Sequence, residues 1–215
     1  MQNAVAGIGS NFPAIELPPP RFDDLAPLRD AFRLRRTEQR FSQRALEAQT
    51  LSDLLWAARG VHQSPPEDLS PVADASASNA QEIDVYISME QGLYLYDPER
   101  ARLAPVLIGD LRRFAAAPWL TRSGDKAPAR LIYVVDVDRL GKPHATCAPS
   151  IADPEAVKAY CYVDCGIVAA NVYLFAAAAG LNAWFHECDR PALAKRLPLR
   201  AGRRVLFAQT VGYPR

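Results

Sequence analysis

The stretch CGIVAANVYLFAAAAGL, from Cys165 to Leu181, is apolar on nearly every side of the helix it would form, broken only by Asn171. It is too short and too mild for a bilayer span of about 20 residues, so it reads as a helix buried inside a folded protein, within a helical segment from about 154 to 180. From Asp164 to Gly180 that helix presents Ile167, Val168, Ala170, Asn171, Leu174, Phe175 and Ala178. These residues spread so far around its circumference that one sheet face cannot cover them all. The remaining apolar surface would be a liability in a monomer of 215 residues. A two-fold partner presenting the same helix would bury it, and the many alanines permit close approach.

The rest of the chain supplies material for a sheet. Residues 1–23 contain Pro13 and the run Pro18, Pro19, Pro20, which predicts an extended arm that needs a surface to lie on, preceding a single domain over 24–215. A helix is expected from Asp24 to about Arg36, with Leu25, Leu28, Ala31, Phe32 and Leu34 as its apolar face. A second follows in LSDLLWAARG, with Thr50 or Ser52 as cap, Trp56 in the core and Gly60 as stop. Residues 61–78, rich in Pro, Ser and Asp, predict a loop. Alternation over 83–89, a turn at Gly92 and LYLYD (93–97) predict a hairpin, and the nearly continuous RLIYVVDV (130–137) a central strand. A strand at 183–187, a helix at 190–197 and a strand at 203–213 complete an α+β domain, a mixed sheet with helices against its faces. No strand is followed by a glycine-rich nucleotide loop.

With a formal net charge of +1, no field of one sign covers the molecule, so neither nucleic acid nor an anionic membrane is an expected partner. The N-terminus lacks a basic, apolar leader, and the expected compartment is cytoplasmic. Cys161, Cys165, Cys188 and His186 could be drawn as a zinc site, but small apolar cysteines in a core explain the same residues; no metal is expected. A catalytic pair of Cys188 with His186 is no better founded, since no spacing fixes its geometry. Trp119, in an irregular segment, is either a mobile aromatic lid or a packed loop anchor.

Against that balance, RRTEQRF (35–41) concentrates three arginines. A solvated helix end is the plain explanation. The alternative is an anion site: guanidinium forks match phosphate oxygens in pairs, a neighbouring hydroxyl adds a donor, and Arg35, Arg36, Thr37 and Arg40 could grip one phosphate.

The surroundings favour the anion. RRTEQRFSQRALEAQTLSDLLWAARGV resembles the opening of the nitroreductase family, flavin enzymes with an Arg-Arg-Ser-x-Arg-x-Phe signature followed by LxxLLWAAxG. ASASNAQEIDVYI (75–87), YVDCGIVAANVYLFAAAAGLNAW (162–184) and LFAQTVGYPR (206–215) resemble further blocks of that family in the same order. The resemblance implies a mainly antiparallel central sheet flanked by helices, with a long buried central helix. It implies a homodimer holding FMN at the subunit interface, reduced by NADH or NADPH and reoxidised by a nitroaromatic, a quinone or a similar acceptor in a ping-pong cycle.

Residue by residue, it implies that Arg35 and Thr37, with Arg36 beside them, hold the FMN phosphate, joined by Arg215. It further implies that Asn79, in the segment with Ser76 and Ala77, meets the polar edge of the flavin ring. The loop around His186 and Glu187 would turn backbone N–H groups toward it. Gln39 stands where the family carries a basic residue, and Ala75 where it carries proline. A neutral donor stabilises reduced flavin less, so a lower potential is expected. A specialised dehydrogenase, such as those oxidising azoline rings, and a flavin-binding protein without turnover are the alternatives.

Overall fold

Two apolar layers lie on opposite faces of one sheet, and strand β5 (Ala129–Asp136) is the reason they can. Its side chains alternate between them: Leu131, Tyr133 and Val135 enter one cluster, Ile132 and Val134 the other, all of them buried. The structure, a computed structural model, describes residues 12–60, 76–116, 127–140 and 151–215, with the Ser78 side chain left aside. Within them the strands are β1 (Ile15–Glu16), β2 (Ile83–Ser88), β3 (Gly92–Asp97), β4 (Arg102–Ile108), β5, β6 (Asn182–His186) and β7 (Arg203–Gly212). Their order is β1-β4-β3-β2-β5-β7-β6, and every ladder is antiparallel. The parallel contact among the described residues is an isolated bridge between Thr37 and Ala183.

The helices are α1 (Leu28–Leu34), α2 (Ala48–Arg59), the short α3 (Arg112–Ala115) and α4 (Val137–Leu140), α5 (Pro154–Ala178) and α6 (Arg190–Arg196). α5 is the long central helix the sequence calls for, 25 residues or about 37 Å. Asp153 caps it by accepting the Glu155 N–H, with Pro154 in the first turn. Its buried stripe runs Cys161, Asp164, Cys165, Val168, Ala169, Val172, Phe175, Ala176 and packs on the sheet with α2. The opposite side, with Val163, Gly166 and Ala170, is exposed. Because the helix starts at Pro154, its length and mean hydropathy of 1.5 would suffice to cross a membrane, unlike the shorter stretch considered in the sequence. Here it is the core helix of a sheet domain and carries the buried carboxylate of Asp164.

Several expectations are corrected. α1 begins only at Leu28, behind Pro27, and of its expected apolar face Ala31 alone is buried; Leu28, Phe32 and Leu34 are 63%, 61% and 57% exposed. α2 starts earlier than Thr50, at Ala48, and Ser52 lies inside it, its hydroxyl donating to the Pro18 carbonyl. That bond belongs to the arm. Residues 12–22 pack along this chain: Leu17 N–H donates to Ala101 O, Gln49 to Pro19 O, Arg21 N–H to Asp53, and the Phe22 ring lies 4.9 Å from that of Trp56. The strands β1 and β4 were not foreseen at all.

Candidate functional site

The outer strand β6 has one backbone edge without a strand beside it, and the arginine segment is built onto that edge. Ala183 O accepts the Glu38 N–H at 3.0 Å, next to the Thr37–Ala183 bridge. Two residues on, Phe185 N–H donates to the hydroxyl of Tyr173, on α5, at 2.8 Å, and the same hydroxyl lies 3.1 Å from Thr37 Oγ1. Asn182 Nδ2 donates to Arg40 O. The segment then turns along the end of β7, where Phe41 bridges Pro214 and Ser42 N–H donates to Tyr213 O. Backbone pairing thus holds the segment against β6 on one side and against Tyr213 and Pro214, just before Arg215, on the other. Beside it lies a cavity of about 160 Å³ lined by Leu34, Arg36, Tyr173, Ala177, Asn182 and Pro214, among others.

The arginines differ in what they already hold. Arg40 is committed: its guanidinium bonds both carboxylate oxygens of Glu38, which also accepts the Gln39 and Arg40 backbone N–H groups. The Arg40 bond, above all, holds the Glu38 carboxyl below its ordinary range. The expectation that Arg40 joins the anion grip is therefore corrected, and the Gln39 backbone belongs to the same closed turn. Arg44 pairs with Glu47. Arg35, Arg36 and Arg215, all exposed, have no carboxylate partner among the described residues; Arg35 lies over the Tyr173 ring, 5.7 Å from its centre.

The second predicted segment lies elsewhere. Ala77 N–H donates to Asp164 on α5, Ser76 Oγ accepts the Gln81 N–H, and Asn79, at φ 52°, accepts a bond from the Gln81 amide on Oδ1. That leaves the Asn79 NH₂ as a donor. Asp164, which anchors this segment, and Tyr173, which meets Thr37, are nine positions apart, about 13 Å along α5. Behind the segment, burial above all pushes the Glu82 carboxyl up to about 8, and the neighbouring Asp164 carboxylate pushes the same way.

His186 ends β6 with a buried ring. Nδ1 lies 2.7 Å from Glu187 O, Nε2 lies 2.8 Å from Thr210 Oγ1, and Trp184 stacks at 4.5 Å. A carbonyl can only accept, so Nδ1 carries the proton and Nε2 accepts from the threonine. Burial lowers the ring to about 4, keeping it neutral. Only the backbone here, and the exposed Glu187, can meet a ligand. Cys161, Cys165 and Cys188 are free and buried; burial pushes Cys188 up to about 12 and Cys165 further, so neither is a ready nucleophile. No cluster among the described residues could hold a metal. Cys147, Ala75 and Trp119 lie outside the described residues.

Sequence reasoning missed Tyr173. Its one signal is a hydroxyl in the helical stretch after Cys165, which Asn171 alone otherwise interrupts.

The chain resembles known proteins in both sequence and fold. Residues 33–213 match the model of the nitroreductase family. No curated protein matches the chain in sequence. The structure of a candidate nitroreductase from Ralstonia eutropha JMP134 superimposes with a TM-score of 0.81 at 28% identity, over 97% of this chain and 92% of that one. The E. coli microcin synthetase complex McbBCD shares the fold at a TM-score of 0.62 and 17% identity, over 81% of this chain and 67% of the other. The NADPH:FMN oxidoreductase of Vibrio harveyi, complexed with NAD+, does so at 0.58 and 20%, over 87% and 68%.

Proposed function

The chain belongs to the nitroreductase family of oxidoreductases, and from that premise we propose that it binds FMN and carries electrons from NADH or NADPH to a nitroaromatic, quinone or similar acceptor. The observation that carries the proposal is the pair Arg35 and Arg36, which have no carboxylate partner among the described residues and stand beside Thr37, in a segment whose next arginines, Arg40 and Arg44, each hold one. Fork-shaped cations with no carboxylate partner among the described residues, of which Arg36 lines the cavity, with the Thr37 hydroxyl next in sequence and Pro214, which precedes Arg215, on the cavity wall, are a donor set suited to a terminal phosphate.

FMN, when bound, supplies the hydride and electron chemistry. The protein supplies position. Arg35, Arg36, Thr37 and Arg215 hold the phosphate. The Asn79 NH₂, left over from its bond with Gln81, donates to the polar edge of the ring. The backbone after His186, fixed by the neutral imidazole, presents N–H groups to it. Gln39 offers a neutral donor where a cation would stabilise the reduced state further. One open face serves donor and acceptor in turn, which gives ping-pong kinetics.

We further propose a homodimer. Leu28, Phe32 and Leu34 on α1 and Val163 on α5 are all more than half exposed, and a Cβ at Gly166 would meet nothing within 4 Å. Paired across a two-fold axis, these faces would be covered, and each flavin site would draw on both subunits, since the 76–79 segment and the arginine segment are anchored at different turns of α5 in one chain.

The purified protein is expected to be yellow, to release FMN rather than FAD on heating, and to bleach with NAD(P)H under anaerobic conditions. A colourless protein that takes up no added FMN overturns the proposal. Bound flavin that NAD(P)H leaves oxidised favours the azoline-oxidising or non-turnover alternatives. Ala170→Trp should split the dimer and release flavin together, seen by native mass and absorbance; a monomer that keeps its flavin refutes the shared site.

A further inference from the structure

We propose that Tyr173 is a positioning residue of the anion site, setting the direction in which the Thr37 hydroxyl donates; this rests on the FMN reading above. The argument counts protons and lone pairs. A tyrosine hydroxyl has one proton to give and oxygen lone pairs to receive. Phe185 N–H occupies one lone pair at 2.8 Å, and it can only donate. The remaining neighbour is Thr37 Oγ1 at 3.1 Å, where either oxygen could be the donor.

Two arrangements satisfy that contact. If Thr37 donates inward, its proton is spent on Tyr173 and only lone pairs face outward, which repels an anion. If Tyr173 donates, Thr37 accepts on one lone pair and its own proton is free to point at the ligand. The inward arrangement also loads the tyrosine oxygen with two incoming donors and leaves its proton without a protein partner. An anion at Arg35 and Arg36 selects the second arrangement, and the chain N–H to Tyr O–H to Thr O–H to anion then runs in one direction, each bond polarising the next. The Tyr173 ring lies beneath the Arg35 guanidinium as well, so one side chain braces two of the proposed ligands.

The geometry of β6 explains why a tyrosine stands there. Phe185 N–H lies on the strand edge two residues beyond the point where residues 37–38 stop pairing with it. A donor left without an acceptor at a half-buried edge is costly, and a tyrosine reaching from α5 satisfies it while passing a proton onward.

The test is a double-mutant cycle on flavin affinity in the full chain. Tyr173→Phe keeps the ring and removes the hydroxyl; Thr37→Val removes the hydroxyl it directs. Tyr173→Phe should weaken FMN about tenfold and leave riboflavin, which lacks the phosphate, unchanged; in the Thr37→Val background the same change should cost little more. Equal losses for FMN and riboflavin, full additivity in the cycle, or an unchanged FMN affinity would each overturn the inference while leaving the FMN reading intact. A parent protein that takes up no FMN overturns the reading itself and the inference with it.

Discussion

Two arginine-rich regions of this molecule behave in opposite ways. Near the strand ends of β2, β5 and β7, Asp84 is ringed by Arg59 at 3.4 Å, Arg139 at 3.1 Å and Arg203 at 3.2 Å, while Asp136 takes Arg203 and Arg139 at 3.2 and 3.5 Å. Arg59 also donates to the carbonyls of Gln81 and Ile83. Every one of these cations is answered, and Asp84 and Arg59 are buried. At the end of α1, by contrast, Arg35 and Arg36 are exposed and face no carboxylate among the described residues. The first cluster holds three strands and two helices in register. The second pairs with no carboxylate among the described residues, Arg35 resting only over the Tyr173 ring, so its charge is not neutralised there. Counting arginines does not distinguish the two; asking what each already binds does.

Breaking the buried cluster should have the largest effect. Asp84→Ala leaves three guanidinium groups around a vacated carboxylate and should destabilise the fold by about 3–5 kcal/mol, read as a lower denaturation midpoint. A loss within the noise would mean that the cluster is no more structural than the other. Arg35→Ala should do the reverse, leaving the midpoint in place while weakening FMN by about 1.5–3 kcal/mol, and unchanged affinity would return the arginine to a solvated helix end.

Between these lies a pH effect. Glu82, beside the buried cluster, has its folded-state pKa raised to about 8 from the ordinary glutamate value of 4.5. The folded state therefore holds a proton that the unfolded state has released, and this group's contribution to stability falls as pH rises from about 4.5 to about 8. Glu82→Gln, which cannot ionise, should flatten that part of the melting-temperature profile and gain most over the parent near pH 8; a parallel profile would refute the assignment. The smallest change is expected from Glu38→Gln. It frees the exposed Arg40 and keeps an acceptor at 38 for the turn's backbone N–H groups, so stability should not move measurably, while a tighter grip on FMN would show that Arg40 can be recruited once its carboxylate is gone.

Much of the frame could be read from the chain, and the misses have particular causes. β5 and β7 announce themselves because both faces are buried and the apolar run is nearly unbroken. β4 hid because Pro105 interrupts RLAPVLI; the sheet tolerates it where the β3–β4 register slips at Leu93/Tyr94, a place where a missing N–H costs least. The apolar spacing, extended by Leu25, predicts a longer α1 than the structure has, because Pro27 fixes the start. For the site, Arg35, Arg36 and Thr37 carried a local signal. Arg40 misled because its partner, Glu38, lies two residues away in the same motif and closes a turn that spacing alone does not disclose. Tyr173 could not be seen, since its contact with Thr37 joins positions 136 residues apart.

That separation also orders events during synthesis. The arginine segment emerges early, but the strand edge that receives it and the tyrosine that braces it belong to the last fifth of the chain. Contacts so distant in sequence close late, after the local helices and the β2–β3 hairpin have formed. Until that long-range pairing closes, the arginine segment has no strand edge to sit on. Capture of the proposed phosphate would thus depend on completion of the sheet edge rather than on nucleation of the sheet.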